Sequence, residues 1–161
     1  MRDAQAQWAG PDSVGDRGEW YPESVKRPER GHREVEHTAD WELEVWAPDL
    51  TGLLEESARG LYELMGVEVS EVSRSHRRLE LASDDREQLL VSFLEELLFL
   101  AESENIAFDG YLLNARDTNL LARLEGGEIL SRAKEVKAVT FHRLEIEESK
   151  RGLTTRIIFD V

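Results

Sequence analysis

Two leucine-rich stretches with helical spacing constrain the fold of this 161-residue chain more than any other feature. In residues 50–65, and again in residues 89–101, large apolar side chains recur every three or four positions. This period predicts helices that each bury one apolar face. The sequence between and after them alternates polar and apolar residues instead, so a purely helical fold is excluded.

Short polar signals mark the ends of both predicted helices. Asp49 is a suitable N-cap for the first helix, and Gly66 can adopt the left-handed conformation that often follows a helix. Asp84 and Glu87 have the spacing of a capping box and predict the start of the second helix there. The second helix fades near residues 103–105.

The remaining stretches show the period of two that is typical of a half-buried strand. Residues 41–47 show it most clearly, and residues 68–82 predict a long strand with a polar face. Turn signals at residues 116–118, 126–127 and 150–152 separate the later strands. The other predicted strands are residues 34–39, 106–114, 119–125, 136–147 and 153–161.

This order of elements predicts an α+β fold. Two strands, a helix, a strand and a helix precede about four further strands, and consecutive hairpins favour antiparallel pairing. We expect a two-layer sandwich, with a mostly antiparallel sheet of about six to seven strands and both helices packed on one face.

Residues 1–32 are predicted to be a flexible extension that precedes a domain of residues 33–161. The extension holds three of the four prolines and has almost no aliphatic periodicity. Its aromatic residues Trp8, Trp20 and Tyr21 could dock on the domain or on a partner.

The charge of the chain limits its partners. The net charge is −14, and the six basic and six acidic residues of positions 1–33 cancel, so the whole excess lies in residues 34–161. Phosphate backbones are bound through Lys and Arg, and we therefore expect no sequence-independent binding of nucleic acid. A basic protein partner or a cation suits this balance better.

Cysteine is absent, which excludes disulfides, thiolate metal sites and thiol nucleophiles. No apolar run approaches the roughly 20 residues that span a bilayer, and the N-terminus lacks the apolar core of a secretory signal. We expect a soluble protein of the cytoplasm, with no membrane partner.

Asp40 and Asp160 are the main candidate site residues. Asp160 follows a strongly apolar run, where a carboxylate needs a cation, a basic side chain or solvent to offset the cost of burial. With a terminal oxygen of Val161, the two aspartates would form an all-oxygen site suited to Ca²⁺, Mg²⁺ or Mn²⁺. The residues alone leave an alternative open: Asp160 is solvated at a frayed end, and Asp40 caps a turn.

His37, Lys137 and His142 are weaker candidates. In one continuous strand, Lys137 and His142 would face opposite sides and would not form a catalytic pair. The basic run at residues 74–78 could contact phosphate, but a solvated strand face is favoured because no aromatic residues interrupt it.

Familiar enzyme motifs are missing. The chain has no P-loop, no GxGxxG, no GxSxG elbow and no HExxH motif. The carboxylate pairs at residues 55–56 and 95–96 lie on predicted helices and are interpreted as solvent-facing rather than as general acid–base pairs.

Several segments resemble the archease family in order and spacing. They are EHTAD at residues 36–40, the predicted helix with its lead-in at residues 48–65, VKAVTFH at residues 136–142 and the ending FDV. The resemblance covers about residues 33–161. Phe141 stands where the family more often has Tyr.

The resemblance implies an accessory protein rather than an enzyme. Archeases assist RNA ligases of the RtcB type, which join RNA ends by using GTP and Mn²⁺, by promoting guanylylation of the ligase and repeated turnover. The implied role in tRNA splicing or RNA repair is indirect. By this resemblance Asp40, Asp160 and an oxygen of Val161 hold a divalent metal, with Lys137 functional nearby and His37 a candidate neighbour. A chaperone-like interaction module and a small metal-dependent hydrolase remain as alternatives.

Overall fold

The computed structural model describes residues 28–35 and 40–161. In chain order the elements are β1 (Gly31–Val35), β2 (Trp41–Ala47), α1 (Leu50–Met65), β3 (Glu68–Ala82), α2 (Arg86–Glu104), β4 (Ile106–Arg116), β5 (Asn119–Ser131), β6 (Ala138–Thr140), β7 (Glu147–Ser149) and β8 (Gly152–Asp160). Strand β1 begins two residues before the predicted domain boundary at residue 33. The rest of the predicted extension, up to residue 27, lies outside the described residues.

Helix α1 has the predicted ends. The Asp49 carboxylate accepts a hydrogen bond of 2.8 Å from the backbone N–H of Gly52, which satisfies one of the unpaired donors of the first turn. Gly66 follows the helix with φ at 64°. One face of α1 is completely buried, including Leu53, Leu54 and Leu61.

Helix α2 begins one residue later than predicted. Asp85, not Asp84, is the N-cap, and its carboxylate accepts from the N–H of Gln88 at 2.7 Å. Glu87 does not complete a capping box, because its carboxylate accepts instead from the N–H of Ile146 at 2.8 Å. The capping pair is therefore Asp85 and Gln88, and the Gln88 Oε1 accepts from the N–H of Asp84 at 3.1 Å.

The fold is α+β with antiparallel strands, as predicted, but the strands form two sheets instead of one. Sheet A has the order β1-β2-β8-β6, and β7 also pairs with β8; sheet B has the order β3-β5-β4. Each helix contacts strands of both sheets, so the two sheets and the helices share one hydrophobic core. The prediction of a single sheet was wrong, and one reason is that β2 pairs on one side with β8, which lies far away in sequence.

The pair Gly126–Gly127 is not a turn. Both residues lie within β5, where β3 and β4 are irregular in register on either side. A Cβ on Gly126 would collide with the carbonyl oxygen of Ala107, and a Cβ on Gly127 would lie 2.5 Å from the carbonyl oxygen of Ser70. These glycines permit close approach of neighbouring backbones, which the sequence alone cannot distinguish from a turn.

The predicted strand over residues 136–147 is interrupted. Only β6 and β7 are strands, and a turn between them has Arg143 at a φ of 57°. The N–H of Leu144 donates to the carbonyl of Phe141 at 3.0 Å and closes this turn. Within the described residues, neither helix is long and apolar enough to cross a membrane.

Candidate metal centre

The register of β2 and β8 brings the two candidate aspartates to one end of sheet A. Trp41 of β2 pairs with Phe159 of β8, and the strands are antiparallel. Asp40 comes directly before Trp41, and Asp160 directly after Phe159. One further step of the same register would bring Asp40 opposite Asp160, although 119 residues separate them in the sequence.

Alternation along the two strands places both aspartates on the face that points away from the helices. Leu43 and Ile157 are fully buried in the core, and side chains of the other parity point to the opposite face of sheet A. Asp40 and Asp160 are both exposed. Neither side chain forms a hydrogen bond or an ion pair with any residue that the structure describes.

Strand β6 adds a third segment to this end of the sheet. Ala138 pairs with Asp160, and the N–H of Lys137 donates to the carbonyl of Asp160 at 2.8 Å. In this antiparallel register Lys137 is therefore opposite Val161. We call Asp40, Asp160 and Val161 the acidic edge; Lys137 adjoins it.

The donor chemistry of the acidic edge suits a hard cation. Two exposed carboxylates and an oxygen of Val161 are ligands that Ca²⁺, Mg²⁺ and Mn²⁺ prefer. Among residues 28–35 and 40–161, no group of three or more His, Asp or Glu side chains is placed to hold a metal. The acidic edge has only two such side chains, so its metal role stays a prediction.

Lys134 is a neighbour of the acidic edge that the sequence did not indicate. Its ammonium group lies 3.9 Å from the centre of the Trp41 ring, next to Asp40. The N–H groups of Ala133 and Lys134 both donate to the carbonyl of Met65, which fixes this segment beside the end of α1. Lys134 lies between predicted strands, where no periodicity reveals its direction.

The histidine candidates are not brought to the acidic edge in the described residues. His37 lies outside them. His142 is exposed in the turn after β6, and its N–H donates to Thr140 Oγ1 at 3.3 Å. The strand that was expected to carry both Lys137 and His142 ends between them.

A different histidine, His32, occupies a charged cluster between β1 and α1. Its Nδ1 lies 3.0 Å from Glu56 Oε1, and its Nε2 lies 3.1 Å from Glu63 Oε2. A neutral imidazole has one N–H donor, so contact with a carboxylate at both nitrogens indicates the protonated ring. Arg30 also donates to Glu56, at 2.9 Å.

The pKa values of this cluster shift in opposite directions. Burial alone would lower the pKa of His32, but its hydrogen bonds to Glu56 and Glu63 outweigh burial and raise the pKa above 6.5. Burial would raise the pKa of Glu56, whereas hydrogen bonds from His32 and Arg30 lower it below 4.5. Glu56 is thus buried and paired, and the prediction that it faces solvent was wrong.

The basic run in β3 is neutralised within the chain. Arg74 contacts Asp109 at 2.6 Å, Arg78 contacts Glu80 at 2.8 Å, and Arg77 pairs with Glu104. These pairs favour the interpretation of a solvated strand face over that of a phosphate site.

The family model and the related proteins identify the same family. The model of the Archease protein family matches residues 32–161. A protein archease from Methanothermobacter thermautotrophicus is 32% identical over 139 residues, which cover 82% of this chain and 99% of that protein. A protein archease from Thermococcus gammatolerans is 37% identical over 126 residues, which cover 73% of this chain and 88% of that protein.

Two solved structures have the same fold. A solution structure from Methanobacterium thermoautotrophicum matches with a TM-score of 0.61 and 30% identity, and covers 81% of this chain and 99% of its own. A crystal structure from Thermotoga maritima, described as an archease and possible chaperone, also has a TM-score of 0.61. It is 23% identical and covers 80% of this chain and 96% of its own, so it supports the fold alone. By the family match and the sequence identities, this chain belongs to the archease family.

Proposed function

We propose that this chain is an accessory protein of the cytoplasm that promotes guanylylation and multiple turnover of an RtcB-type RNA ligase. Its role in tRNA splicing or RNA repair is indirect, through the ligase, and the chain is not itself an enzyme. A divalent cation held at the acidic edge is the means by which it acts.

One observation carries the proposal. The pairing of Trp41 with Phe159 supports it, because the aspartates that flank this pair, from opposite ends of the domain, come to the same end of β2 and β8. Two like charges directly opposite each other destabilise an antiparallel pair. A bound cation offsets this repulsion, and the exposure of both carboxylates leaves their oxygens accessible to it.

The surroundings of the acidic edge suit a partner that handles phosphates. Asp40, Asp160 and an oxygen of Val161 would hold the cation, which supplies positive charge at the rim of a chain whose net charge is −14. Lys137 adds a second positive charge beside it, in a position fixed by the bond from its N–H to Asp160. Together they can meet triphosphate oxygens of a partner without attracting nucleic acid to the rest of the acidic surface.

A guanylylation assay tests this function. Substoichiometric amounts of the chain are added to the RtcB-type ligase of the same organism with GTP and Mn²⁺, and guanylylated ligase is measured over time. We expect the wild type to accelerate guanylylation and Asp160→Asn to reduce the acceleration by about tenfold or more, since even a change in a group that only orients a metal ligand costs about that much. The substitution removes one charge at an exposed position and should leave the fold intact.

Asp84→Asn is the matched control. Asp84 is exposed, and its side chain has no hydrogen bond or ion pair with a described residue. It precedes α2, whose 19 residues span about 28 Å, whereas Lys137 lies near the other end of that helix. This variant should act like the wild type. Full acceleration by Asp160→Asn would overturn the proposed role of the acidic edge.

The same samples separate the two alternative functions. A chaperone-like role, which is the description given to the Thermotoga maritima protein, predicts that the chain suppresses aggregation of an unfolded client and that Asp160→Asn does so equally. A metal-dependent hydrolase predicts turnover of nucleotides by the isolated chain with Mn²⁺. Either result without accelerated guanylylation would replace the proposed function.

A further inference from the structure

Helix α2 exposes a large aromatic side chain close to the acidic edge. Phe99 is 61% exposed, whereas Leu97 and Leu100 on either side are buried in the core. It lines a groove of about 380 Å³ between α2 and the segment that leads into β6. We call this the Phe99 groove.

The groove and the acidic edge share one segment of backbone. Val136, Lys137 and Ala138 form the wall of the groove opposite α2. The N–H of Lys137 donates to the carbonyl of Asp160, and Ala138 pairs with Asp160 in the sheet. A partner that contacts the acidic edge from this side therefore also reaches the groove.

Acidic side chains flank the exposed ring. Glu95 and Glu102 lie four residues before and three residues after Phe99, so all three share one face of the helix. Both carboxylates line the groove, and neither pairs with a basic group in the described residues. Leu98 and the ring supply an apolar floor between these two negative charges.

We propose that the Phe99 groove is the docking surface for the RNA ligase and receives an apolar side chain that the ligase presents between Lys or Arg residues. This inference rests on the proposed function and adds where the partner is held. A protein that binds RNA carries Lys and Arg around its binding cleft, and the carboxylates of the groove complement them. Burial of a central aromatic anchor supplies affinity, and the charges fix orientation and speed association.

The proposal is tested by measuring, with calorimetry in the presence of Mn²⁺, the direct binding of the purified chain to the purified ligase. Phe99→Asp should raise the Kd by about 30-fold, the loss expected for a central aromatic anchor. Phe99→Leu should recover most of the affinity. The control is Leu112→Asp, which changes a residue that is 68% exposed on sheet B and should bind like the wild type.

Charge reversal tests the basic character of the partner. Glu95→Lys with Glu102→Lys should weaken binding, and the remaining affinity should depend less on salt than that of the wild type. An unchanged Kd in this double variant would overturn the assignment of a basic partner segment. Wild-type binding by Phe99→Asp would overturn the docking surface.

The outcomes distinguish this inference from the proposed function. If wild-type chain accelerates guanylylation and Phe99→Asp binds the ligase normally, only the docking surface is wrong. If wild-type chain does not bind the ligase, both proposals fail. The expected pattern is that Asp160→Asn still binds the ligase but no longer accelerates guanylylation, whereas Phe99→Asp binds Mn²⁺ normally but loses the ligase.

Discussion

At the scale of single residues, Gly126 lacks a side chain because the backbone of the neighbouring strand fills the space that a Cβ would occupy. The obstruction is the main chain of β4 at Ala107 and Phe108, which cannot move aside as a flexible side chain can. Gly126 and Gly127 together allow β5 to pair closely with β3 and β4 at the point where the register of both pairings shifts. Sheet B therefore depends on two residues that make no side-chain contact.

We predict that Gly126→Ala lowers the free energy of unfolding by about 3 kcal/mol or more, at the upper end of what overpacking costs. Urea denaturation followed by circular dichroism measures the change. Gly110→Ala in β4 is the control, because its new Cβ would lie 3.3 Å from Glu125 Cβ, a contact that is too tight by only a few tenths of an ångström. It should cost less than about 1 kcal/mol. Equal stability of the two variants would contradict the close-approach explanation.

Local chemistry was enough to predict some residues and not others. Asp49 and Gly66 were placed correctly because a helix N-cap and a left-handed residue depend on neighbours within one turn. Asp84 was predicted as the cap with Glu87, but the structure uses the neighbouring pair Asp85 and Gln88. Glu87 instead accepts from the N–H of Ile146, a contact distant in sequence that no local pattern contains.

At the scale of elements, a charged cluster links β1 to α1, because His32 of β1 contacts Glu56 and Glu63 of α1. Strand β1 is at the edge of sheet A, and its other attachment is the pairing with β2. Close packing of α1 on this side is possible because Gly60 lacks a side chain beside Leu43 and the His32 ring. Sequence reasoning missed His32, since it was assigned to the extension on composition alone.

This cluster predicts a pH dependence of stability. The raised pKa of His32 means that its contribution is fully present below pH 6.5 and is lost as pH rises through the folded-state pKa. The lowered pKa of Glu56 means that its contribution is present above pH 4.5 and is lost as pH falls through its folded-state pKa. Together they favour a stability maximum between these two values.

We predict that His32→Gln costs about 2 kcal/mol at pH 6, from the loss of hydrogen bonds to two charged groups, and costs less as pH rises. Urea denaturation between pH 5 and pH 9 measures this difference. His142→Gln should track the wild type at every pH, because that histidine is exposed and its side chain has no partner among the described residues. A cost that does not change with pH would contradict a protonated His32.

At the scale of the whole molecule, fold class was predictable but strand pairing was not. Period and turn residues predicted β3 and the turn that leads into β8, since these signals are local. The pairing of β2 with β8 joins segments more than a hundred residues apart, and no local signal specifies it. The residues alone indicated Asp40 and Asp160 as candidates but left open that each is an ordinary solvated acid; the resemblance to a family favoured the shared site.

The two-sheet architecture brings the residues of both proposals to one end of sheet A. One end of sheet A holds Asp40, Asp160 and Lys137, on or next to the adjacent strands β2, β8 and β6. The Phe99 groove, between α2 and the segment before β6, lies at the same end. The basic run of sheet B is neutralised by its own neighbours. The proposed cation site and the proposed docking surface therefore lie at the same end of sheet A.

Titration calorimetry with Mn²⁺ tests the shared cation site most directly, on the wild type, Asp40→Asn, Asp160→Asn, the double variant and the control Asp84→Asn. We predict one site in the wild type and in the control, an affinity about 10- to 100-fold weaker in each single acidic-edge variant, and little further loss in the double variant, because both carboxylates hold the same ion. Wild-type affinity in either Asp40→Asn or Asp160→Asn would contradict the shared site.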